Sequence, residues 1–555
     1  MRGILLFFII IVVHSYALSP MRQVDNFTRY WEQQKVYEDR ETQRNIKAPI
    51  YTELKTLPVT TSLNGSSSCI QIDTINTDEI TLIDKKELLA LTNPYLGKCN
   101  TMNALNALVK KINNIYIEKA YITSMAYIKP QDLSTGTLRI SAMQSKIESV
   151  SGDNVSVALI EPFMQDRYLN LRELEVSIEQ LNRLQSQQAT MAINPGTQVG
   201  YSKIMMKGKQ VGSPIHGTLG VNNYGTSKSG EFQFSGALSW DNPLGINDIL
   251  RINLNTTNKQ NKENNSLGNS ISYALPVGRS YLEFIYSKFD YDQIVDGLVV
   301  DYNSRGESEN FQTKLEYKLF HAKEQRAKLD FSLIRKKNEN YLQDVFLATS
   351  SNKLTIFQLA YTHNYMAQTW DGYVALKYNR GLTWFGASTP EAYEPTFNKY
   401  TLDVSFNKKL DGKGLKANYN FSFYGQYAKA GIAPSEQIGI GGPYSVRGFR
   451  SEDQISGNKG FYIRNELSFP VSLKKGAFNP YLGLDYGVVS HNRYSYGGNI
   501  LGFIFGARAN IHGTFIDLYY SVPIVDSNEV TTRPNGDIIR KDLHSFTGLN
   551  ISYSF

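Results

Sequence analysis

From residue 210 to Phe555 the chain is a series of short segments in which polar and apolar side chains alternate. The turns between them are short and long in turn. A period of two puts successive side chains on opposite faces of a strand. Between Tyr481 and Val488, Leu482, Leu484, Tyr486 and Val488 share one face, and Tyr481, Gly483, Asp485 and Gly487 share the other. The final strand repeats this, with Leu549, Ile551, Tyr553 and Phe555 opposed to Gly548, Asn550, Ser552 and Ser554. A carboxylate facing lipid is costly, so the Asp485 face is expected to line the lumen of a closed sheet whose other face meets a bilayer. A soluble sandwich is the rival arrangement, and it lacks the matching second core that so many strands would need.

Strands are expected near 212–223, 230–240, 248–257, 269–276, 279–289, 308–319, 326–337, 353–365, 369–381, 398–409, 414–427, 459–470, 478–489, 499–511, 514–522 and 544–555. About sixteen is an even count, as single-chain outer-membrane barrels have. Pro276-Val277-Gly278, His321-Ala322-Lys323, Asp411 to Gly414 and His512-Gly513 are the short connections, expected on the periplasmic side. The stretches 290–307, 382–397, 428–458 and 523–543 are the long ones, expected outside.

A chain of 555 residues suits three or four domains. No apolar run of helix-spanning length occurs beyond the extreme N-terminus, so a helical membrane protein is excluded. The 36 Tyr, 27 Phe and 42 Gly suit strands with aromatic girdles and small lumen-facing residues. A net charge of +7 without a basic run gives no basis for nucleic-acid binding. Met1-Arg2-Gly3, the apolar run Ile4 to Val13 and the small-residue finish at Ala17 predict a signal peptide over 1–17. Cys69 and Cys99 are the two cysteines. In an exported chain they are expected to pair, closing a loop worth about 3–4 kcal/mol on the chain-entropy model. A reactive thiol is the other reading, and no histidine lies near either in sequence to serve as its base.

Upstream of the barrel, residues 18–46 predict an N-terminal helix capped by Asp25. Phe27, Tyr30, Trp31 and Tyr37 fall on one side of it, and Glu, Gln, Lys and Arg on the other. Residues 47–66 have linker composition. Two consecutive β-α-α-β-β units follow, over 67–144 and 145–209. In the first, Thr101 caps a helix with Leu105, Leu108, Ile112 and Ile115 on one stripe, and Ala120–Ala126 and Thr137–Ala142 are its closing strands. In the second, Asn170 caps a helix with Leu171, Leu174, Ile178 and Leu181 on one face. The fold class is thus α+β modules followed by an all-β antiparallel transmembrane barrel.

The long connection 428–458 carries the sharpest motif, Gly441-Gly442-Pro443-Tyr444-Ser445-Val446-Arg447-Gly448-Phe449-Arg450. Val446-Arg447-Gly448-Phe449 resembles the lid motif of the outer-membrane protein-translocating and barrel-assembling superfamily. Pro434-Ser435-Glu436-Gln437 and the run Gly439 to Arg450 resemble its two-partner secretion branch, the haemolysin-activator and filamentous-haemagglutinin transporters. The Cys pair, Pro130 to Leu133, Leu171 to Glu175, Asn194-Pro195-Gly196 and Asp241 to Gly245 are similar to the same branch. Ala120 to Met125 and Gln144-Ser145 depart from its usual pattern. The resemblance implies a plug helix, two POTRA modules and a sixteen-stranded barrel in the outer membrane. It implies a secreted exoprotein as partner: a large β-helical haemolysin, adhesin or contact-dependent inhibition toxin, with activation during export within the range of the family.

An arginine folded into a barrel needs a carboxylate or carbonyl partner for its planar fork of donors. Asp485 is the candidate for Arg447, with Gly483 and Gly487 leaving room on the same face for a loop to pack. The resemblance implies the same pairing. Tyr462, Arg464 and Glu466 share the lumen face of the intervening strand and could extend the network. A solvated external Arg447 with Asp485 as a plain wall residue is the alternative. No catalytic motif, cofactor motif or metal-ligand spacing occurs, so no enzyme, cofactor or metal is expected. A monomeric transporter surrounded by outer-membrane lipid is expected instead. A barrel-assembly insertase, whose usual form carries more POTRA modules, and a passive porin, which carries none, are the alternatives.

Overall fold

The computed structural model describes residues 32–42, 50–59, 70–226, 229–258, 265–295, 301–412, 414–429, 431–491, 497–527, 530–532, 538–540 and 543–555. The expected signal peptide, Phe27, Tyr30, Trp31 and Cys69 lie outside these residues.

Sixteen long antiparallel strands form one closed sheet. They are β1 Ile215–Asn222, β2 Gln233–Asp241, β3 Ile249–Thr257, β4 Asn265–Val277, β5 Ser280–Val295, β6 Tyr302–His321, β7 Gln325–Leu342 and β8 Asn352–Met366. The second half is β9 Trp370–Leu382, β10 Asn398–Gly412, β11 Leu415–Ala428, β12 Gly460–Ser468, β13 Gly476–Val489, β14 Gly498–Ile511, β15 Thr514–Asp526 and β16 Phe546–Ser554. Closure is made by β1 on β16, with Thr218 opposite Ser554 and Val221 opposite Ile551. Closing the sheet leaves no unpaired strand edge, which lipid could not satisfy.

The two faces differ as the alternation requires. Leu219, Phe234, Leu254, Phe311, Leu376, Leu482, Leu484 and Phe505 are exposed on the outside. Such a belt is a liability in water and a match to hydrocarbon. No described helix is long and apolar enough to cross a membrane; this chain crosses with strands. The hairpin β5–β6 runs further than the alternation suggests. Asp290 pairs with Glu307 and Val295 with Tyr302 inside what reads as the loop 290–307. Beyond the lipid band both faces of a strand meet water, so the two-residue period fades although the ladder continues.

Two small modules precede the barrel. The first packs helices α2 (Lys85–Thr92) and α3 (Met102–Glu118) on short strands. Thr101 caps α3 by accepting from Ala104 N, and Leu105, Leu108, Ile112 and Ile115 enter the core. Its fourth strand is shorter than expected, Met125–Tyr127 rather than Ala120–Ala126. Ala120 has a φ of 64°, and Tyr121 N donates to Tyr116 O, so the helix exit occupies those residues. The second module has strands Lys146–Asp153, Gln187–Pro195 and Tyr201–Gln210 with helix α4 (Leu171–Leu181) across them. A single 3-10 turn, Glu161–Phe163, stands where the repeat predicts its first helix. Cys99 is disulfide-bonded.

Candidate functional site

The bore is filled from two directions. From the outside, the loop between β11 and β12 folds inward as a hairpin, with Ile438 paired to Gly457 and Ile440 to Ile455. Val446, Phe449, Ile438 and Ile440 pack with Tyr462, Val489 and Ile500 into a small apolar cluster inside the barrel. From the N-terminal side, residues 32–42 form a helix, α1, lying against the lumen wall.

Arg447 is 4% exposed and Asp485 not at all. The guanidinium donates to Asp485 through Nε (2.7 Å) and Nη2 (2.9 Å), and the Arg447 amide adds a third bond of 3.0 Å. Its remaining arm, Nη1, reaches Glu466 Oε2 at 2.6 Å. Arg508 on β14 completes the charge balance, donating to both Glu466 oxygens at 2.5 and 2.9 Å and to Asp517 at 3.1 Å. Arg464 Nε lies 4.0 Å from Asp485, so the network holds three guanidiniums and three carboxylates.

Close approach requires glycine on both sides. Gly448 has a φ of +127°, and a Cβ there would lie 2.6 Å from Gly502 Cα. A Cβ on Gly502 would lie 2.0 Å from Arg447 O, and one on Gly483 would lie 2.9 Å from Arg447 Nη2. At Gly487 it would meet Val446 Cγ2 at 2.9 Å. Of the lumen trio on β12, Tyr462 accepts from Arg40, Glu466 joins the lock, and Arg464 lies over the Tyr37 ring while donating to Pro443 O.

The other end of the loop is held separately. Glu436 is buried and ion-paired to Lys336 on β7 at 2.8 Å and to Lys399 on β10. Lys336 also meets Glu32 of α1 at 3.2 Å, so one ammonium serves both the loop and the helix. Further along α1, Asp39 pairs with Lys377 on β9 at 3.6 Å and Arg40 with Asp403 on β10 at 3.0 Å. Tyr37 touches Tyr444 of the loop, ring centroids 5.5 Å apart.

Residues 200–509 match the family described as haemolysin secretion/activation protein ShlB/FhaC/HecB. The chain belongs to that family. A ShlB-type POTRA domain matches 70–145 and a further POTRA domain 139–195. The outer membrane transporter CdiB of Dickeya dadantii (strain 3937) is 31% identical over 466 residues, 82% of this chain and 81% of that one. The hemolysin transporter protein ShlB of Serratia marcescens is 27% identical over 520 residues, 91% and 92% of the two chains. The solved structure of CdiB from Escherichia coli superposes with a TM-score of 0.80 at 26% identity, covering 97% of this chain and 99% of that one. The chain is an outer-membrane transporter of the two-partner secretion type, with its POTRA modules in the periplasm.

Several contributors are not foreseen from sequence, among them Arg508, Glu436, Lys336 and Arg40. Arg508 shares the parity of Gly502, Ile504 and Gly506 on β14, so alternation alone places it in the lumen. Glu436 stands in a quoted motif but received no role, and Lys336 and Arg40 had no local signal at all. Residues 50–53 have the composition of a linker, yet they are bound: Ile50 packs on the second module's core and Thr52 N donates to Glu175 at 2.7 Å.

Proposed function

We propose that this transporter captures an unfolded exoprotein with its POTRA modules and passes it through the barrel to the cell surface. The observation that carries this reading is a bore filled by two parts, an internal helix and an inward loop, fixed to the wall largely by ion pairs. Ion pairs on a polar wall can be exchanged for water and for a passing chain, whereas an apolar seal of equal area could not.

In this reading α1 is the plug and the 428–458 loop the lid, with Arg447, Asp485 and Glu466 fixing the lid base. The outer edge of strand Gln187–Pro195, beyond Ala189 whose amide and carbonyl are bonded to Asn182, is a suitable place for an extended segment to add. The exoprotein is a large haemolysin, adhesin or contact-dependent inhibition toxin; the relatives named hemolysin transporter protein support the first of these. External folding drives transport without nucleotide hydrolysis or any reaction catalysed by this chain. A barrel closed on itself works as a monomer, with lipid around its apolar belt. Nucleic acid has no part in it.

Deleting residues 19–45 tests the plug. Single-channel conductance in planar bilayers is expected to rise for the full-length barrel carrying the deletion. Unchanged conductance overturns the plug assignment.

A further inference from the structure

Among the described residues, the tether between α1 and the first module is first held at residues 50–53. Residues 50–53, in neither helix nor strand, lie between α4 of the second POTRA module and the short turn joining β6 to β7. Ile50 N donates to Glu179 (3.3 Å), Thr52 N to Glu175 (2.7 Å), and Arg172 Nη2 donates to Thr52 O (3.2 Å). From the barrel side, the His321 ring nitrogen Nε2 bonds Ile50 O at 2.7 Å. The Arg172 guanidinium stacks on the Tyr51 ring with its carbon 3.6 Å from the centroid. Glu175 and Glu179 are in turn fixed by Arg172 at 2.7 Å and by Lys318 at 2.9 Å.

Four of these bonds engage main-chain atoms of the segment; its side-chain contacts are the Tyr51 ring under Arg172, Ile50 against the second module's core and the exposed Glu53 on Lys323. Such a site reads main-chain atoms and a ring, with an apolar residue before the ring and an acidic one at the rim. We propose that this seam is a peptide-binding site: Ile50–Glu53 occupies it at rest and restrains the plug, and an extended, aromatic-bearing peptide can displace it. The inference rests on α1 being the plug.

Chain length gives the restraint a size. With residue 50 fixed, the end of α1 at residue 42 can lie no more than about 26–29 Å from it. The next hold is Leu57, whose amide donates to Asn114 on α3 at 2.7 Å while Asn114 donates back to Leu57 O at 3.1 Å. Opening the seam moves the fixed point to residue 57 and extends the reach to about 50–54 Å. The latch thus sets whether the plug stays at the barrel mouth or swings clear of it, and it sits on the module that meets cargo.

The test uses the full-length chain in planar bilayers with Tyr51→Ala and Thr52→Pro combined, which removes the ring and the amide that donates to Glu175. Opening frequency is expected to rise at least severalfold, with the barrel still heat-modifiable. A fluorescein-labelled peptide of the sequence Pro49–Leu54 is expected to bind this variant about tenfold or more tighter than wild type, because the resident segment no longer competes. Added to the wild-type chain, the same peptide should raise opening frequency, and its Tyr51→Ala version should not. Equal peptide affinity for the two proteins, or wild-type opening indifferent to the peptide, overturns the proposal. If deletion of 19–45 raises conductance and the latch variant does not, the latch fails alone. If neither does, the plug reading has failed.

Discussion

The lid base and the internal helix fill the same bore but are held to it differently. At the lid base one arginine makes four hydrogen bonds to two carboxylates, three from its guanidinium and one from its amide to Asp485. Glycines at 448, 483 and 502 bring the backbone against the wall, and an apolar cluster covers the base. Helix α1 is held by contacts spread over separate strands: Glu32 to β7, Asp39 to β9, and the buried Arg40 to Asp403 on β10 and Tyr462 on β12. One of these, Asp39 to Lys377, is well exposed on the acid side. Concentrated, mutually satisfied bonds make a hinge that survives transport, whereas contacts dispersed over several strands make a seat that one partner at a time can leave. The lid is built in, and the helix is docked.

The largest effect should come from breaking the concentrated site. Removing one partner of a buried ion pair costs about 3–5 kcal/mol, because the other charge is left stranded. Arg447→Ala and Asp485→Ala should each reduce secretion of the exoprotein encoded with this transporter by tenfold or more, while a heat-modifiable barrel remains in the membrane. Normal secretion by both would erase the distinction drawn between the two holds. Gly502→Val should resemble them, since its Cβ would lie 2.0 Å from Arg447 O.

A middle-sized effect tests whether the two parts are coupled. Lys336 is shared by Glu32 of the helix and Glu436 of the lid. Lys336→Ala should raise opening frequency severalfold in single-channel recordings. Glu32→Gln added to it should change little more, because the bond it removes is already gone. Additive effects would mean that helix and lid open independently. Gly439→Leu offers a steric version: a Cβ there would lie 2.7 Å from Gln33 Nε2, so a larger side chain crowds α1 and should favour its exit.

Legibility in the sequence followed the range of the physics. Strand positions and the lumen face were readable because alternation is local: every one of the sixteen expected segments overlaps a barrel strand. The Arg447–Asp485 contact was reachable because a charge forced into a barrel must find its opposite on the wall, and β13 offered Asp485 between Gly483 and Gly487. The polar face of α1 gave no such lead, since a helix rich in Glu, Gln, Lys and Arg looks solvated. Its real solvent is a wall of opposite charges, and Arg40 finds Asp403 only after the sheet has closed. The bound stretch 50–53 was invisible for a different reason. Main-chain hydrogen bonds have no side-chain signature, and the composition around them is that of any linker.

The smallest effect is expected at the outer rim of the tether latch, and there the contrast between concentrated and dispersed holds takes its sharpest form. Glu53 pairs with Lys323 in the β6–β7 turn, and hydrogen bonding to that ammonium keeps its carboxyl below the ordinary range. Both side chains face water, where ion pairs contribute little and are screened by salt. Glu179 is a different case. Burial would push its carboxyl up, but Lys318, His321 and Arg326 around it hold it below the ordinary value instead. Raising ionic strength from about 0.1 to 1 M shortens the Debye length from about 10 to 3 Å, which removes the exposed attraction and leaves the buried one largely intact. Glu53→Ala should therefore alter opening frequency by less than about twofold at low salt and not at all at high salt. Glu179→Gln should loosen the latch at both. If Glu53→Ala matched Tyr51→Ala in effect, the latch would be a surface attraction rather than a seated peptide, and its hold on the plug would vary with the salt outside.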